Sequence, residues 1–174
     1  MTQAQVFLGN GKKRRNATPL HGAPFTLRLG GELSQLELEL AKQEVVITPE
    51  ARSVFYRIGF KKTTVDATFF VGPVSALGLP RGGQMSEVKF AGFNTCDYCI
   101  CAPEAALRYA TQYSRSIPGG RVLVMQPLLD CPYNRSRYIF AVSENAAGVR
   151  TVRTVIGSPR VWVGQDVQVM FQAR

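Results

Sequence analysis

The sequence predicts an all-β fold, a single jelly-roll-like sandwich with a short N-terminal basic arm and one short inserted helix. Short stretches of alternating or β-branched apolar residues recur from residue 25 onward, glycine and proline turns separate them, and one stretch has the features of a helix. With 174 residues, 45% of them hydrophobic, the chain is long enough for one domain with its own core. About eight to ten short strands in one domain favour a sandwich or barrel of the jelly-roll type. We assign residues 1–24 to the arm and residues 25–174 to the β-sandwich domain.

The first strand predictions rest on alternation. Phe25–Leu29 alternates apolar and polar residues with a period of two. The segment 36–40 alternates as well, although Leu33, Leu36 and Leu40 would also suit one face of a helix. We interpret this segment as a strand because β-branched residues follow it. The remaining strands are predicted at 45–47, 53–60, 63–72, 87–93, 121–127, 136–143, 149–157 and 160–172.

One helix is predicted, beginning at Pro103 and including Glu104 to Ala110. Proline suits the first position of a helix, and the carboxylate of Glu104 complements the positive end of the helix dipole. The helix has to end before Pro118 because proline interrupts the hydrogen bonds of a helix interior.

Positive charge is concentrated at the two ends of the chain. The net charge is +9, of which residues 1–31 carry +5, residues 32–105 carry −2 and residues 106–174 carry +6. Four consecutive cations lie in the arm: Lys12, Lys13, Arg14 and Arg15. Such a run neutralises phosphates without reading base edges, so we predict that these four residues bind nucleic acid.

A short cationic arm followed by a strand-rich body resembles the coat proteins of small icosahedral RNA viruses, including satellite viruses. The features that carry the resemblance are the four arm cations, the body from Phe25 to Phe171 and the alternating strand Val167–Phe171. The resemblance implies an eight-stranded jelly roll that assembles with many copies of itself into a shell, with the arm facing packaged RNA. It also implies a protein that is made in the host cytoplasm and resides in the virion.

Residues for catalysis are sparse. His21 is the single histidine, in a loop rich in proline and glycine, and histidine is the usual partner of serine and cysteine nucleophiles. The sequence has no phosphate-binding loop, no nucleophile elbow and no dinucleotide fingerprint, and its acids are scattered. We therefore predict that the protein is not an enzyme and has no catalytic residues.

The cysteines raise the question of a zinc site. Cys96, Cys99 and Cys101 form a Cys-x-x-Cys-x-Cys run, and Cys131 follows later. If 95–101 is a strand, Cys96 faces the side opposite to Cys99 and Cys101, so the strand cannot aim all three at one metal. We interpret the cysteines as small buried apolar residues and predict no metal and no cofactor.

A non-assembling β-barrel protein that binds RNA or DNA is the alternative interpretation. Base stacking on exposed aromatic residues would serve such a protein, and several aromatic residues lie among arginines. These aromatic residues are Phe55, Tyr56, Phe69, Phe70, Tyr133, Tyr138 and Phe140. No apolar run approaches the length of a membrane span and no signal peptide opens the sequence, so a membrane partner is not expected.

Overall fold

A curled sheet of nine strands forms the centre of the protein, in a fold that is mostly β with few helices. The computed structural model describes residues 24–58, 63–113, 115–117, 120–130 and 136–174. The strands are β1 Phe25–Leu29, β2 Val46–Ile47, β3 Val65–Pro73, β4 Gly83–Gln84, β5 Tyr98–Cys99, β6 Arg121–Val124, β7 Leu129–Asp130, β8 Arg137–Glu144, β9 Arg150–Ile156, β10 Trp162–Val163 and β11 Gln168–Ala173. The helices are α1 Leu33–Lys42, α2 Pro49–Phe55, α3 Met85–Thr95 and α4 Ala105–Gln112.

The strand order in the large sheet is β1-β3-β11-β6-β8-β9-β2, with β5 paired to β11 and β7 paired to β8. The pairs β6–β11 and β2–β9 are parallel, whereas β1–β3, β3–β11, β6–β8 and β8–β9 are antiparallel. A separate two-stranded ribbon joins β4 to β10. The prediction of a mostly β protein is confirmed in this coarser form.

Both faces of the large sheet are buried. In β8, Phe140 and Val142 belong to one apolar cluster, while Ile139 and Ala141 belong to the other. Residues of α1, α2 and α4 contribute to the first cluster, and residues of α3 contribute to the second. Since helices cover both faces, the central strands are apolar on both sides, as is usual for strands enclosed between layers.

Three segments predicted as strands contain helix, so the prediction of a single helix was wrong. The segment 36–40 lies in α1, where Leu36 and Leu40 are both buried, one helical turn apart. The alternating leucine and glutamate residues of this segment are compatible both with a strand and with one face of a helix. A helix forms because it buries Leu36 and Leu40 on the same face.

The other two misassigned segments have start signals that favour a helix. The segment 53–60 includes the end of α2, which begins at Pro49 after Thr48, whose side-chain oxygen accepts a hydrogen bond from the amide of Ala51 at 3.3 Å. The segment 87–93 lies in α3, which begins with a capping box formed by Gln84 and Glu87. The one predicted helix is confirmed as α4, two residues after Pro103.

An ion pair with buried arginine connects α4 to α1. Arg108 is 5% exposed and donates hydrogen bonds to Glu39 at 2.9 Å and to the carbonyl of Gly30. Glu104, the residue just before α4 and one turn before Arg108, accepts a hydrogen bond from the amide of Gly30 at 3.1 Å. These contacts fix the end of β1 against α4.

Candidate nucleic-acid interface

Several arginine residues lie at one end of the large sheet. There β11 begins opposite Pro73, where β3 ends, and β6 begins beside β11 at Arg121. β8 ends and β9 begins at the same end, where Glu144 lies opposite Arg150. We call this region the arginine end and define it by Arg81, Arg115, Arg121 and Arg150.

An open groove at the arginine end has two arginines in its wall. Arg81 and Arg121 line a groove of about 470 Å³ together with residues 164–168. Both arginines are exposed, and within the described ranges neither has an acid at ion-pair distance. Asp166 is the acid that lines the groove, so the lining carries one net positive charge.

The turn that carries Arg81 is held close to the turn that follows β10. Gly82 has a φ of +84°, and a Cβ atom there would lie 2.3 Å from the carbonyl oxygen of Val163. Glycine is therefore required by both the backbone conformation and the close approach. The second turn is anchored in its own right, because the amide of Ser75 donates to the carbonyl of Gln165 at 2.9 Å. Both walls of the groove are thus fixed by backbone contacts.

Arg150 supports this end of the sheet from within. Its guanidinium pairs with Glu144 at 3.1 Å, with both side chains about 15% exposed. It also donates to the carbonyls of Ala110 and Tyr113 and, at 2.9 Å, to that of Arg115. These carbonyls lie at and beyond the end of α4, where a cation complements the helix dipole. Arg150 is engaged with the protein, whereas the side chain of Arg115 is exposed to solvent.

β1 begins on the side of the sheet that faces the arginine end. β1 is antiparallel to β3, and Phe25 lies opposite Phe69 while Leu29 lies opposite Val65, so the first residue of β1 is the one nearer to the end of β3. The ring of Phe25 lies 4.9 Å from that of Tyr113, close to the segment that Arg150 holds. The predicted site residues Lys12, Lys13, Arg14 and Arg15 lie outside the described residues.

The described cysteines lie close to backbone carbonyls. Cys101 is buried and donates from Sγ to the carbonyl of Met170 at 3.3 Å, and Cys99 donates to that of Ala173 at 3.4 Å. Burial raises the pKa of the Cys101 thiol and, to a lesser degree, that of Cys96, which disfavours the thiolate that binds metals.

The strand on which the cysteine argument was conditional does not extend over 95–101, because α3 extends to Thr95 and β5 is limited to Tyr98–Cys99. Within the described residues no group of three histidine, cysteine or acidic side chains could hold a metal ion. Cys131 and His21 lie outside those residues, so the absence of zinc stays a prediction.

The aromatic residues considered for base stacking divide between core and surface. Phe55 is buried and stacks on Phe140 at 3.9 Å between ring centroids, and Phe69 is fully buried. Tyr56 is exposed, and its hydroxyl donates to Glu37 at 2.6 Å, a contact that raises the pKa of the tyrosine. Among the described members, Phe55, Phe69 and Phe140 are buried and Phe70 packs partly buried against the second cluster, while Tyr133 lies outside the described residues.

Sequence reasoning identified neither Arg81 nor Arg121 as a site residue. Arg81 lies in the middle third, whose net charge is negative, and Arg121 lies 40 positions later. Their proximity depends on the parallel pairing of β6 with β11 and on the β4–β10 ribbon. The local signal that could have drawn attention to them is their placement beside glycine-rich turns, at 82–83 and 119–120.

Comparison of the chain with protein-family models, with curated proteins and with solved structures finds no match.

Proposed function

We propose that this protein is a structural coat protein of a small icosahedral RNA virus. In this proposal many copies assemble into a closed shell in the virion after synthesis in the host cytoplasm, and the arm residues Lys12, Lys13, Arg14 and Arg15 bind packaged RNA. The observation that carries the nucleic-acid function is the arginine end, with its exposed guanidinium groups at the side of the sheet on which β1 begins. The proposal assigns no catalytic activity to the chain.

Charge and geometry support a nucleic-acid partner. Arg81, Arg115 and Arg121 are exposed, and none of them takes part in an ion pair within the described part of the chain. Arginine presents a planar fork that suits phosphate oxygens, and it stays charged at every physiological pH. A fully extended chain of ten residues spans at most about 33–36 Å, which is the reach between Arg15 and Phe25. Arm and arginine end can therefore serve one ligand.

Exposed apolar side chains support self-assembly. Aromatic residues are enriched at protein interfaces, and Phe90 is 67% exposed while Trp162 is 61% exposed. Further large apolar side chains with high exposure are Leu38, Val46, Tyr56, Val65 and Ile156. Contact with neighbouring copies would remove this surface from water.

The proposal includes a jelly-roll architecture, although assembly into a shell does not require that architecture. The curled sheet supplies enough strands for a jelly roll. The parallel pairs β6–β11 and β2–β9 weigh against it, since a jelly roll is built from antiparallel strands.

None of the described helices has the length and apolar character needed to cross a membrane.

A non-assembling nucleic-acid-binding protein is the second candidate. The observation that favours it is the helical cover on both faces of the sheet, because the core is then complete in one copy. The curled sheet also suits the β-barrel expected for such a protein.

Particle size decides between the two candidates. Negative-stain microscopy and light scattering of the purified protein, with RNA present at neutral pH, should reveal closed particles of well above about ten subunits. A monodisperse species of 19.2 kDa under these conditions would contradict the coat-protein proposal and favour the second candidate.

A further inference from the structure

The folded body has a phosphate site of its own, distinct from the arm. We propose that the groove between Arg81 and Arg121 binds one phosphodiester group of the nucleic-acid backbone. The inference rests on the proposed nucleic-acid function and adds a folded site that would fix where the strand runs across the protein.

The charge of the groove matches a diester. Two guanidinium groups and the carboxylate of Asp166 give the lining one net positive charge. A backbone phosphodiester carries a single negative charge, whereas a terminal phosphate carries about −1.5 to −2 near pH 7. A diester therefore leaves the occupied groove neutral, whereas a dianion leaves excess negative charge beside Asp166. Each arginine can offer two parallel N–H donors to one phosphate.

The walls of the groove are pre-positioned. Gly82 fixes the turn of Arg81 against the carbonyl of Val163, and Arg121 is the first residue of β6, opposite Ser143 in β8. The side-chain amide of Gln168 donates to the carbonyl of Asp166 at 3.3 Å, which ties the second wall together. The backbone of both walls is ordered before a ligand binds, so the ordering cost falls on the two arginine side chains.

The surroundings favour nucleic acid over a phospholipid, whose headgroup also contains a phosphodiester. Apart from Val167, the lining consists of glycine and polar or charged residues, so it offers little apolar surface for insertion into a bilayer. β1 also begins on the side of the sheet on which the groove lies.

The test measures binding of a fluorescent oligouridylate to the full-length chain by anisotropy. The background is the variant in which Lys12, Lys13, Arg14 and Arg15 are all alanine, which isolates the body. We expect residual binding that weakens about 2.6-fold between about 50 and 200 mM salt, since one phosphate contact gives a log–log slope of about −0.7. Adding R81Q and R121Q should abolish this salt-dependent binding.

A matched control removes the same charge elsewhere. R52Q with R57Q, in and just after α2, changes two exposed arginines outside the groove and should leave the residual binding unchanged. Thermal melting followed by circular dichroism verifies that each variant folds. Equal weakening of oligonucleotide binding by both double variants would overturn the assignment of the groove as a binding site. It would indicate attraction by the net charge of the body alone.

Three further outcomes would also overturn the inference. The first is that the arm variant binds no oligonucleotide. The arm would then be the whole binding site, and the proposed function would be unaffected. The second is displacement of the oligonucleotide by inorganic phosphate at constant ionic strength. The third is binding to phosphatidylserine–phosphatidylcholine vesicles that R81Q and R121Q abolish. If wild-type protein binds no nucleic acid at all, the proposed function fails together with the inference.

Discussion

The side-chain amide of Gln112 pairs with both backbone groups of Arg28. Its oxygen accepts from the amide of Arg28 at 2.8 Å, and its nitrogen donates to the carbonyl of Arg28 at 3.2 Å. A residue of α4 thus occupies the place of a neighbouring strand at β1, which lies at one edge of the large sheet. An unpaired edge is a template for pairing with another chain, and this contact closes part of it.

Removal of that contact should open the edge. For Gln112→Leu we expect a loss of about 1–2 kcal/mol in the free energy of unfolding, since two partly exposed hydrogen bonds contribute about 0.5–1.5 kcal/mol each. Irregular self-association should rise with protein concentration. Urea denaturation and light scattering measure the two effects, and Gln35→Leu on the exposed surface of α1 is the matched control. A Gln112→Leu variant as stable and as monodisperse as this control would show that the contact neither stabilises the fold nor protects the edge of β1 from self-association.

The arm should supply most of the salt-dependent binding. Replacement of Lys12, Lys13, Arg14 and Arg15 by alanine should weaken binding to all sequences alike. It should reduce the log–log salt slope by about 3, from four contacts at about 0.7 each on single strands. Titrations with oligonucleotides of different sequence at several salt concentrations measure this change. Unchanged binding and packaging would contradict the assignment of these four residues.

Arg150 should matter for stability more than for binding. Arg150→Met leaves the carboxylate of Glu144 and the carbonyls after α4 without their donor, so we expect a loss of about 3 kcal/mol in the free energy of unfolding. The double variant Arg150→Met with Glu144→Gln should recover part of that loss because no uncompensated charge remains. Urea denaturation of both variants provides the measurement. A single variant with wild-type stability would mean that the network is dispensable.

Lys89 should give stability a pH dependence in the alkaline range. Burial lowers the pKa of its amine below the ordinary value, and Nζ donates to the carbonyl of Gln126 at 2.7 Å. Because the unfolded chain binds more protons between the folded pKa and the unfolded pKa, the contribution of Lys89 to stability rises with pH in that window. Denaturation at a series of pH values should show that the stability of the wild type relative to that of Lys89→Met rises over this window. The same slope in both proteins would exclude Lys89 as its origin.

The sequence predicted the strands that are rich in β-branched residues and missed helices with ambiguous patterns. β3, β8 and β9 contain runs of valine, isoleucine, threonine and aromatic residues, and all three were predicted within two residues. α3 was misassigned because Val88 resembles a strand residue, although Val88 and Ala91 are buried three positions apart, as on a helix face.

The groove could not be predicted for a different reason. Local patterns specify helices, turns and strands, but they do not specify which strand inserts between which others. Arg81 and Arg121 line the same groove because β11 lies beside β6 and because the β4–β10 pairing holds the turn of Arg81 near the segment before β11. The cysteines were interpreted as packing residues on the assumption of a continuous strand at 95–101. That strand is limited to Tyr98–Cys99, but the described cysteines are nevertheless buried or half-buried.

The position of β11 has a consequence for the order of folding. This strand lies between β3 and β6, and Phe171 pairs opposite Phe70, so the join spans 101 positions of the chain. Before β11 docks, β1 with β3 and β6 with β8 and β9 are two half-sheets, and each exposes an open edge. Pairings between residues so distant in sequence form slowly, on timescales of about milliseconds to seconds. The pairing of β6 with β11 also brings Arg121 beside residues 164–168, so the groove is incomplete until β11 is in place.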